Sequence, residues 1–535
     1  MLKPIRVRSI LTAAVAGIFT SIASGALAAQ ARDSSRVPTL IVFFTVDQMR
    51  PDYVDRWGSQ FTGGLARLYH GGAVFTNGFQ DHATTVTAQG HASTMSGRFP
   101  RSTGIISDDL GVPDPQFPLI GGGGGGASPF RFRGSALIDW LRIKDIRSRA
   151  LSVSRKDRGA ILPLGRAHEE AYWYPGDGRF TTSTYYHDTL PTWINRFNRR
   201  RLPAKWAGRL WTPLLPDSAY AEKDYVPVES RGLDFLFPHL LPEKVSVATH
   251  ALAEFPWMDE LTLDVALAGL NAMKLGKGPQ TDILAVSLST TDAIGHRYGP
   301  DSKEMHDQIL RLDRSLGVFI DSLYKLRDSS RIVFALTADH GTAPYPGVAS
   351  RDPNQHGRFL DPRRLIAPEV KALAAHGLPD STIQNAEGLI LVQREVIRSA
   401  GLDPDSLIEA MQRRLRTVPG VARVDTPRDL AQRDTSTDFL ARRWSHLIPP
   451  DIEDIALMVT QDPYVVMTNG GIDTHGSPYD YDAHVPMIFY GPGFRPGSYT
   501  DFVRVVDMGP TLAWIARATP TERLDGHVLS EAISR

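Results

Sequence analysis

The sequence predicts an α/β fold, a mostly parallel central sheet with helices on both faces, into which a smaller α+β cap is inserted. Three observations carry this. First, continuous apolar runs rich in β-branched and aromatic residues recur at Leu40–Val46, Ile283–Leu288, Ile332–Thr337 and Val485–Tyr490. Strands covered on both faces need such runs, because neither face meets water. Second, helical patterns lie between them. From Ser302 to Leu326, Ile309, Leu312, Leu316 and Ile320 recur at helical spacing, and strands that alternate with helices argue for a parallel sheet. Third, residues suited to chemistry stand at the strand ends. Asp47, Asp292 and Asp339-His340 follow three of the runs, and His484 precedes the fourth. In open α/β sheets ligands bind beyond the carboxyl ends of the strands.

The chain begins with Lys3, Arg6 and Arg8, an apolar stretch from Ile10 to about Leu27, and Ala26-Leu27-Ala28. That pattern predicts a signal peptide over residues 1–28 and a periplasmic or secreted protein. No later stretch is long and apolar enough to cross a bilayer, so no membrane span is expected after cleavage. A polar linker, Gln30 to Arg36, leads into the core, assigned to 37–343 and 467–535. An irregular insertion rich in Pro, Trp and Tyr falls at about 172–257. The cap, 344–466, is read from strands at Leu389–Val392, Val421–Val424 and Ile455–Val459 and a helix from Asp405 to Thr417. The glycine run 121–126 lacks phosphate-loop spacing and reads as a surface loop.

Composition removes several classes of function. Lys+Arg and Asp+Glu balance at 59 each, so no global field draws the chain to nucleic acid, and no nucleic-acid binding is expected. The absence of cysteine excludes disulfides, thiolate metal sites and Cys nucleophiles. At 42% hydrophobic and 22% charged residues, the 535-residue chain is ordinary for a globular protein.

Asp292 and His296 are four apart and share one face of a helical turn. Asp and neutral His are good Zn²⁺ ligands. Asp339-His340-Gly341 can present two neighbouring ligands if the chain bends sharply, which the glycine permits. Taken singly, the Asp292/His296 pair reads as a surface pair, Asp47 as a helix cap and His484 as a core histidine. Their joint placement at strand ends is what points to a metal site. Thr84-Thr85-Val86-Thr87 before Ala-Gln-Gly-His reads as a helix N-terminus. A threonine oxygen there gains from the positive end of the helix dipole and from any bound cation.

These residues resemble the alkaline phosphatase superfamily, in particular its Thr-nucleophile phosphomonoesterases of the PafA type and the related type I phosphodiesterase/nucleotide pyrophosphatase group. The resemblance runs through Val46–Arg50, Thr85–His91, Ser289–His296, Thr337–Gly341, His475–Ser477, Tyr481–Pro486 and Asp507–Leu512. It implies two Zn²⁺ ions, one held by Asp292, His296 and His484, the other by Asp47, Asp339, His340 and the Thr85 oxygen. Thr85 would attack phosphorus and form a phosphothreonine. Paired metals about 3.5–4 Å apart can clamp the attacking and leaving oxygens. Lys156 and Arg158 match a Lys and Arg that bind non-bridging phosphate oxygens, and they are expected to converge from an extended segment. The family's phosphate-binding Asn falls at Asp108, which when ionised cannot donate a hydrogen bond to phosphate; it is expected to pair with Lys156 or Arg158, or to hold a further metal. His91 is expected to pack, and His475 to orient His484 or a ligating Asp.

The expected activity is hydrolysis of small phosphate monoesters, an alkaline phosphatase. A phosphodiesterase or nucleotide pyrophosphatase on the same scaffold is the alternative, and a non-catalytic metal-binding envelope protein is the remaining one. A sulfatase is disfavoured, because its formylglycine derives from Cys or Ser and this position is Thr85.

Overall fold

The computed structural model describes residues 37–122, 124–344, 358–468 and 474–534. The predicted signal peptide lies outside the described residues. Eight strands form the central sheet: β1 (Leu40–Val46), β2 (Ala73–Phe75), β3 (Ala150–Ser154), β4 (Glu170–Trp173), β5 (Asp282–Leu288), β6 (Ile332–Thr337), β7 (Met487–Tyr490) and β8 (Gly497–Tyr499). Their order is β8-β2-β7-β6-β1-β5-β3-β4. Every pairing in it is parallel except those of β7, which runs antiparallel to both neighbours. All of β1, β5 and β6 is buried, which is why these strands read as unbroken apolar runs rather than alternating ones.

Register is what builds the site. Val46 pairs with Leu288 and Thr45 with Thr337, so β1, β5 and β6 end level with one another. Ser154 of β3 lies opposite Ser287. Residues that follow these strands therefore leave the sheet along one edge: Asp47, the turn into Asp292, Asp339-His340 and Lys156. Met487 pairs with Thr337 in the antiparallel β7, so the residues that precede β7 arrive at that same edge.

The helices that serve the site are α1 (Thr87–Ser96), α2 (Asp157–Ile161), α3 (Thr290–Tyr298) and α4 (Lys303–Leu326). In α4 the Ser302 hydroxyl caps the first turn by accepting from the Met305 N–H at 3.0 Å, and Ile309, Leu312, Leu316 and Ile320 are buried. All ten residues of α1 are buried. It can lie against the end of β6 only because residue 90 is glycine: a Cβ there would stand 2.2 Å from the Asp339 carbonyl oxygen. Gly90→Ala is therefore expected to cost about 1–3 kcal/mol or more, read as a lower urea midpoint at unchanged m-value.

A second sheet, four-stranded and antiparallel, orders Ile383–Ala386, Leu389–Val392, Ile455–Gln461 and Val421–Asp425. With helices Pro362–Ala374 and Pro404–Leu415 it encloses its own apolar cluster, which includes Leu365, Ile390, Met411 and Leu457. A further cluster joins Trp444 and Leu389 of this module to Ala83 and Ile106, on either side of the Thr85 segment. Among the described residues no helix is long and apolar enough to cross a membrane.

Candidate active site

Asp47, directly after β1, is fully buried. Gln48 follows in the left-handed region at φ 65°, a conformation unfavourable for a non-glycine residue. That turn aims the Gln48 N–H at Asp339 Oδ1, 3.1 Å away. Asp339 and His340 follow β6, both buried. His340 Nε2 lies 3.4 Å from Asp47 Oδ1. On α3, Asp292 and His296 do share a face, with His296 Nε2 at 3.1 Å from Asp292 Oδ1.

The expectation for His484 is not met. Its backbone bridges to Phe79, its ring stacks on Phe79 at 4.8 Å between centroids, and its Nε2 meets the Thr76 carbonyl at 2.9 Å. The bridge turns the ring out of the cluster, into a separate cavity beside Arg50 and Thr76. His475 takes the inward place instead. Its Nε2 is 3.5 Å from Asp292 Oδ1, its ring stacks on that of His340 at 3.4 Å, and its Nδ1 faces the Thr85 carbonyl at 2.9 Å. Candidate ligand atoms of Asp292, His340 and His475 converge, as do those of Asp47, Asp339 and His340.

Thr85 is buried, one residue before Val86, which is the N-cap of α1. Its hydroxyl does not cap the helix and donates to the Ser477 carbonyl at 2.8 Å. Lys156 also differs from expectation. It is the N-cap of α2 rather than part of an extended segment, with Arg158 in the first helical turn. The Lys156 ammonium lies 2.6 Å from Asp47 Oδ2, 2.8 Å from Asp292 Oδ2 and 2.9 Å from Thr87 Oγ1. Arg158 Nε meets Asp108 Oδ2 at 2.8 Å, and Asp108 Oδ1 accepts from the Ala88 N–H at 2.8 Å. Of the two cations considered for Asp108, Arg158 is the one that it meets.

Sequence reasoning missed three contributors. His91 does more than pack: its Nδ1 is 3.2 Å from Asp339 Oδ2, and its Nε2 is 2.9 Å from Ser287 Oγ. Its spacing four residues after Thr87, whose carbonyl it also meets at 2.9 Å, was the available signal. Arg443, 1% exposed, clamps two loops together through Asp81 Oδ1 at 3.3 Å and the Pro478 carbonyl at 2.7 Å. Glu387, on the tip of a hairpin in the second module, reaches the charges of Asp108, Asp109 and Arg158. Burial and then the two aspartates push its carboxyl up to about 8.

Electrostatics reflect crowding. Burial and Asp292 push the Asp47 carboxyl up, but Lys156 and His340 outweigh them and hold it below its usual range. Burial depresses His340, while Asp339 and Asp47 raise it, to about 9. Burial, then the His340 charge, holds His475 down at about 4, so its imidazole is neutral. Three carboxylates that are at most 3% exposed, Asp47, Asp292 and Asp339, thus face the Lys156 ammonium and the His340 charge. Buried charges need partners. His340 Nε2 and Asp339 Oδ2 are buried and make no well-directed hydrogen bond among the described residues. A set of buried carboxylates and imidazoles with atoms left to ligate fits divalent cations of the zinc type.

A mostly parallel sheet that gathers buried carboxylates, imidazoles and a helix-terminal threonine at one edge forms a candidate metal site. The sequence matches the type I phosphodiesterase / nucleotide pyrophosphatase family over residues 41–478, and the chain belongs to that family. It is 31% identical to the alkaline phosphatase PhoV of Synechococcus elongatus, over 93% of each chain. It is 29% identical to the alkaline phosphatase PafA of Elizabethkingia meningoseptica, over 96% of this chain and 98% of that one. The crystal structure of wild-type PafA superposes with a TM-score of 0.83 at 27% identity, over 93% of this chain and 99% of the other. The protein is a phosphoric ester hydrolase.

Proposed function

We propose that this protein is an alkaline phosphatase that removes phosphate from small monoesters through a phosphothreonine on Thr85. The observation that carries the proposal is the convergence of two cations on the first turn of α1, just after Thr85: Lys156 at Thr87 Oγ1, and Arg158 through Asp108 at the Ala88 N–H. A monoester dianion has more charge to neutralise than a diester, and Arg and Lys at one site suit its non-bridging oxygens. Similarity to PhoV and PafA along nearly the whole chain supports the same reading. The start of the chain supports a periplasmic or secreted location.

Two Zn²⁺ ions would be held by Asp47, Asp339, His340 and Thr85, and by Asp292, His296 and His475. When bound they would supply Lewis acidity, favouring the alkoxide and offsetting charge on the leaving oxygen. Every other role falls to the chain. The Thr85 hydroxyl gives up its proton to solvent and its oxygen forms a bond to phosphorus as the bond from phosphorus to the ester oxygen breaks; the departing oxygen takes a proton from solvent. The helix N-terminus beside Thr85 favours the negative charge that develops there. Lys156 and Arg158 hold the phosphoryl oxygens through the transfer. Water then attacks phosphothreonine, releasing phosphate and restoring Thr85. The Gln48 N–H holds the Asp339 carboxylate through Oδ1, keeping its orientation through the cycle, with the His91 ring packed 3.2 Å from Oδ2.

Diester hydrolysis is favoured by one observation, that Asp108 already occupies Arg158 and adds a negative charge. The test compares kcat/KM for p-nitrophenyl phosphate and bis-p-nitrophenyl phosphate with zinc-loaded protein at alkaline pH. A monoester preference is expected. It should grow by about tenfold in Asp108→Asn, which frees Arg158 and replaces a repelling carboxylate with a hydrogen-bond donor. A diester preference in the unaltered protein would replace this proposal with the phosphodiesterase reading.

A further inference from the structure

Strands β1, β3, β5 and β6 run parallel, so the edge opposite the candidate site is built from the turns that enter them. These turns are hydrogen-bonded to one another in a row. Lys144 Nζ donates to the Ala516 carbonyl, just after helix Met508–Ile515, and Arg149 Nη2 donates to the Met273 carbonyl, at the end of helix Trp257–Met273. Arg327, the residue after α4, reaches the Leu275 and Leu270 carbonyls, the latter at 2.9 Å. Arg331 Nε meets the Val37 carbonyl at 2.9 Å, and the Thr39 N–H donates to the Arg331 carbonyl at 2.9 Å. The amino edge of the sheet is thus one continuous surface.

That surface is cationic and apolar together. Lys144, Arg147, Lys274, Lys277, Lys325 and Arg517 are exposed on it. The carboxylates of the same turns are few and engaged. Asp145 pairs with Arg147 at 2.7 Å, Asp282 is buried and accepts from the Gly276 N–H at 2.8 Å, and Asp328 accepts from the Ser330 N–H at 3.0 Å. The whole chain balances at 59 residues of each sign, so this excess of cations is local. Ile143, Ile146 and Trp514 are exposed by 68%, 71% and 62%, and all stand within two residues of the Lys144–Ala516 contact. Single exposed apolar residues are ordinary, but large ones gathered among cations suit a partner that is anionic and apolar at once. A nucleic acid would pair the lysines and offer nothing to the isoleucines. An anionic bilayer takes both, because its phosphates meet Lys and Arg while Trp and Ile enter the headgroup layer.

We propose that the amino edge of the sheet is a peripheral docking surface for anionic phospholipid bilayers, with its Lys and Arg side chains on the phosphates and Ile143, Ile146 and Trp514 in the interface. The seven-residue strands β1 and β5, at about 3.3 Å per residue, hold Asp47 and Asp292 about 20 Å from this edge. A docked molecule therefore turns its metal-site edge away from the bilayer, open to soluble esters. The inference does not depend on which ester is cleaved.

The test is co-sedimentation of the zinc-loaded protein with vesicles of phosphatidylcholine containing about 30% phosphatidylglycerol, beside vesicles of phosphatidylcholine alone. Partition into the anionic vesicles is expected to exceed that into the neutral ones by at least about tenfold, and to fall as salt rises. Lys274→Glu with Lys277→Glu should lower it by about 20-fold or more, at about fivefold per cation removed. Ile146→Ser with Trp514→Ser should lower it about tenfold. In both variants the melting temperature and kcat/KM for p-nitrophenyl phosphate without vesicles should stay unchanged. Lys371→Glu with Arg413→Glu, both exposed on the second module, make the same change of charge elsewhere and should alter partition by less than about twofold. Equal partition into the two kinds of vesicle, or unchanged partition in the Lys274/Lys277 variant, overturns the proposal. So does an equal loss in the second-module variant, which would reduce the effect to net charge. A dimer seen by sedimentation velocity without vesicles, and lost in the Ile146/Trp514 variant, would overturn it in favour of a second copy of the chain on this face.

Discussion

Thr85→Ala is expected to lower kcat/KM for p-nitrophenyl phosphate by at least about 10³-fold, as removal of a covalent nucleophile does elsewhere, while zinc-loaded protein keeps its added metal. The structural cost should be small. The Thr85 hydroxyl makes one hydrogen bond, to the Ser477 carbonyl, and it does not cap α1. The two carboxylates and the imidazole on the Asp47 side do not depend on it. Metal content by mass spectrometry and rapid-quench detection of a phosphorylated protein separate the possibilities. Unaltered turnover in Thr85→Ala would remove the phosphothreonine mechanism. Loss of activity together with loss of zinc would make Thr85 chiefly a ligand.

The second large effect is expected at His475 rather than His484. His475→Ala should weaken zinc binding and lower kcat/KM by more than about 100-fold, exceeding what loss of an outer hydrogen-bond partner costs. His475 is neutral at working pH, because burial and the His340 charge hold it down at about 4, so no proton need leave it before it ligates. His484→Ala should change kcat/KM by no more than about threefold, as for a surface substitution. Its ring contacts are Phe79 and the Thr76 carbonyl, outside the cluster. The two variants side by side, read by zinc stoichiometry and by kcat/KM, decide the ligand set. The reverse pattern would restore His484 as the ligand.

Much of this was legible in the sequence because the chemistry sits next to strands. A buried parallel strand declares itself by an unbroken apolar run, and the residue after it must stand at the sheet's carboxyl edge. Asp47, Asp292 and Asp339-His340 were found that way, and the level strand ends bring them together. His91 and Glu387 were not found. His91 works through Ser287 and Asp339, 196 and 248 residues away along the chain. Glu387 acts from the tip of a hairpin in a different module. No local pattern encodes contacts of that kind.

The sequence by itself thus determined the fold class, the family and most of the residues that gather at the candidate site, because periodicity and adjacency are local properties. Tertiary structure decided the rest. His475 and His484 stand nine positions apart in one segment and both arrive at the same edge. Only the backbone bridge of His484 to Phe79 turns its ring away and leaves the inward place to His475. Asp108 and Arg158 are 50 residues apart, yet the turn into α2 and the start of α1 bring them to 2.8 Å. Side-chain direction depends on which neighbours fill the space around it, and those neighbours are chosen by the packing of distant elements.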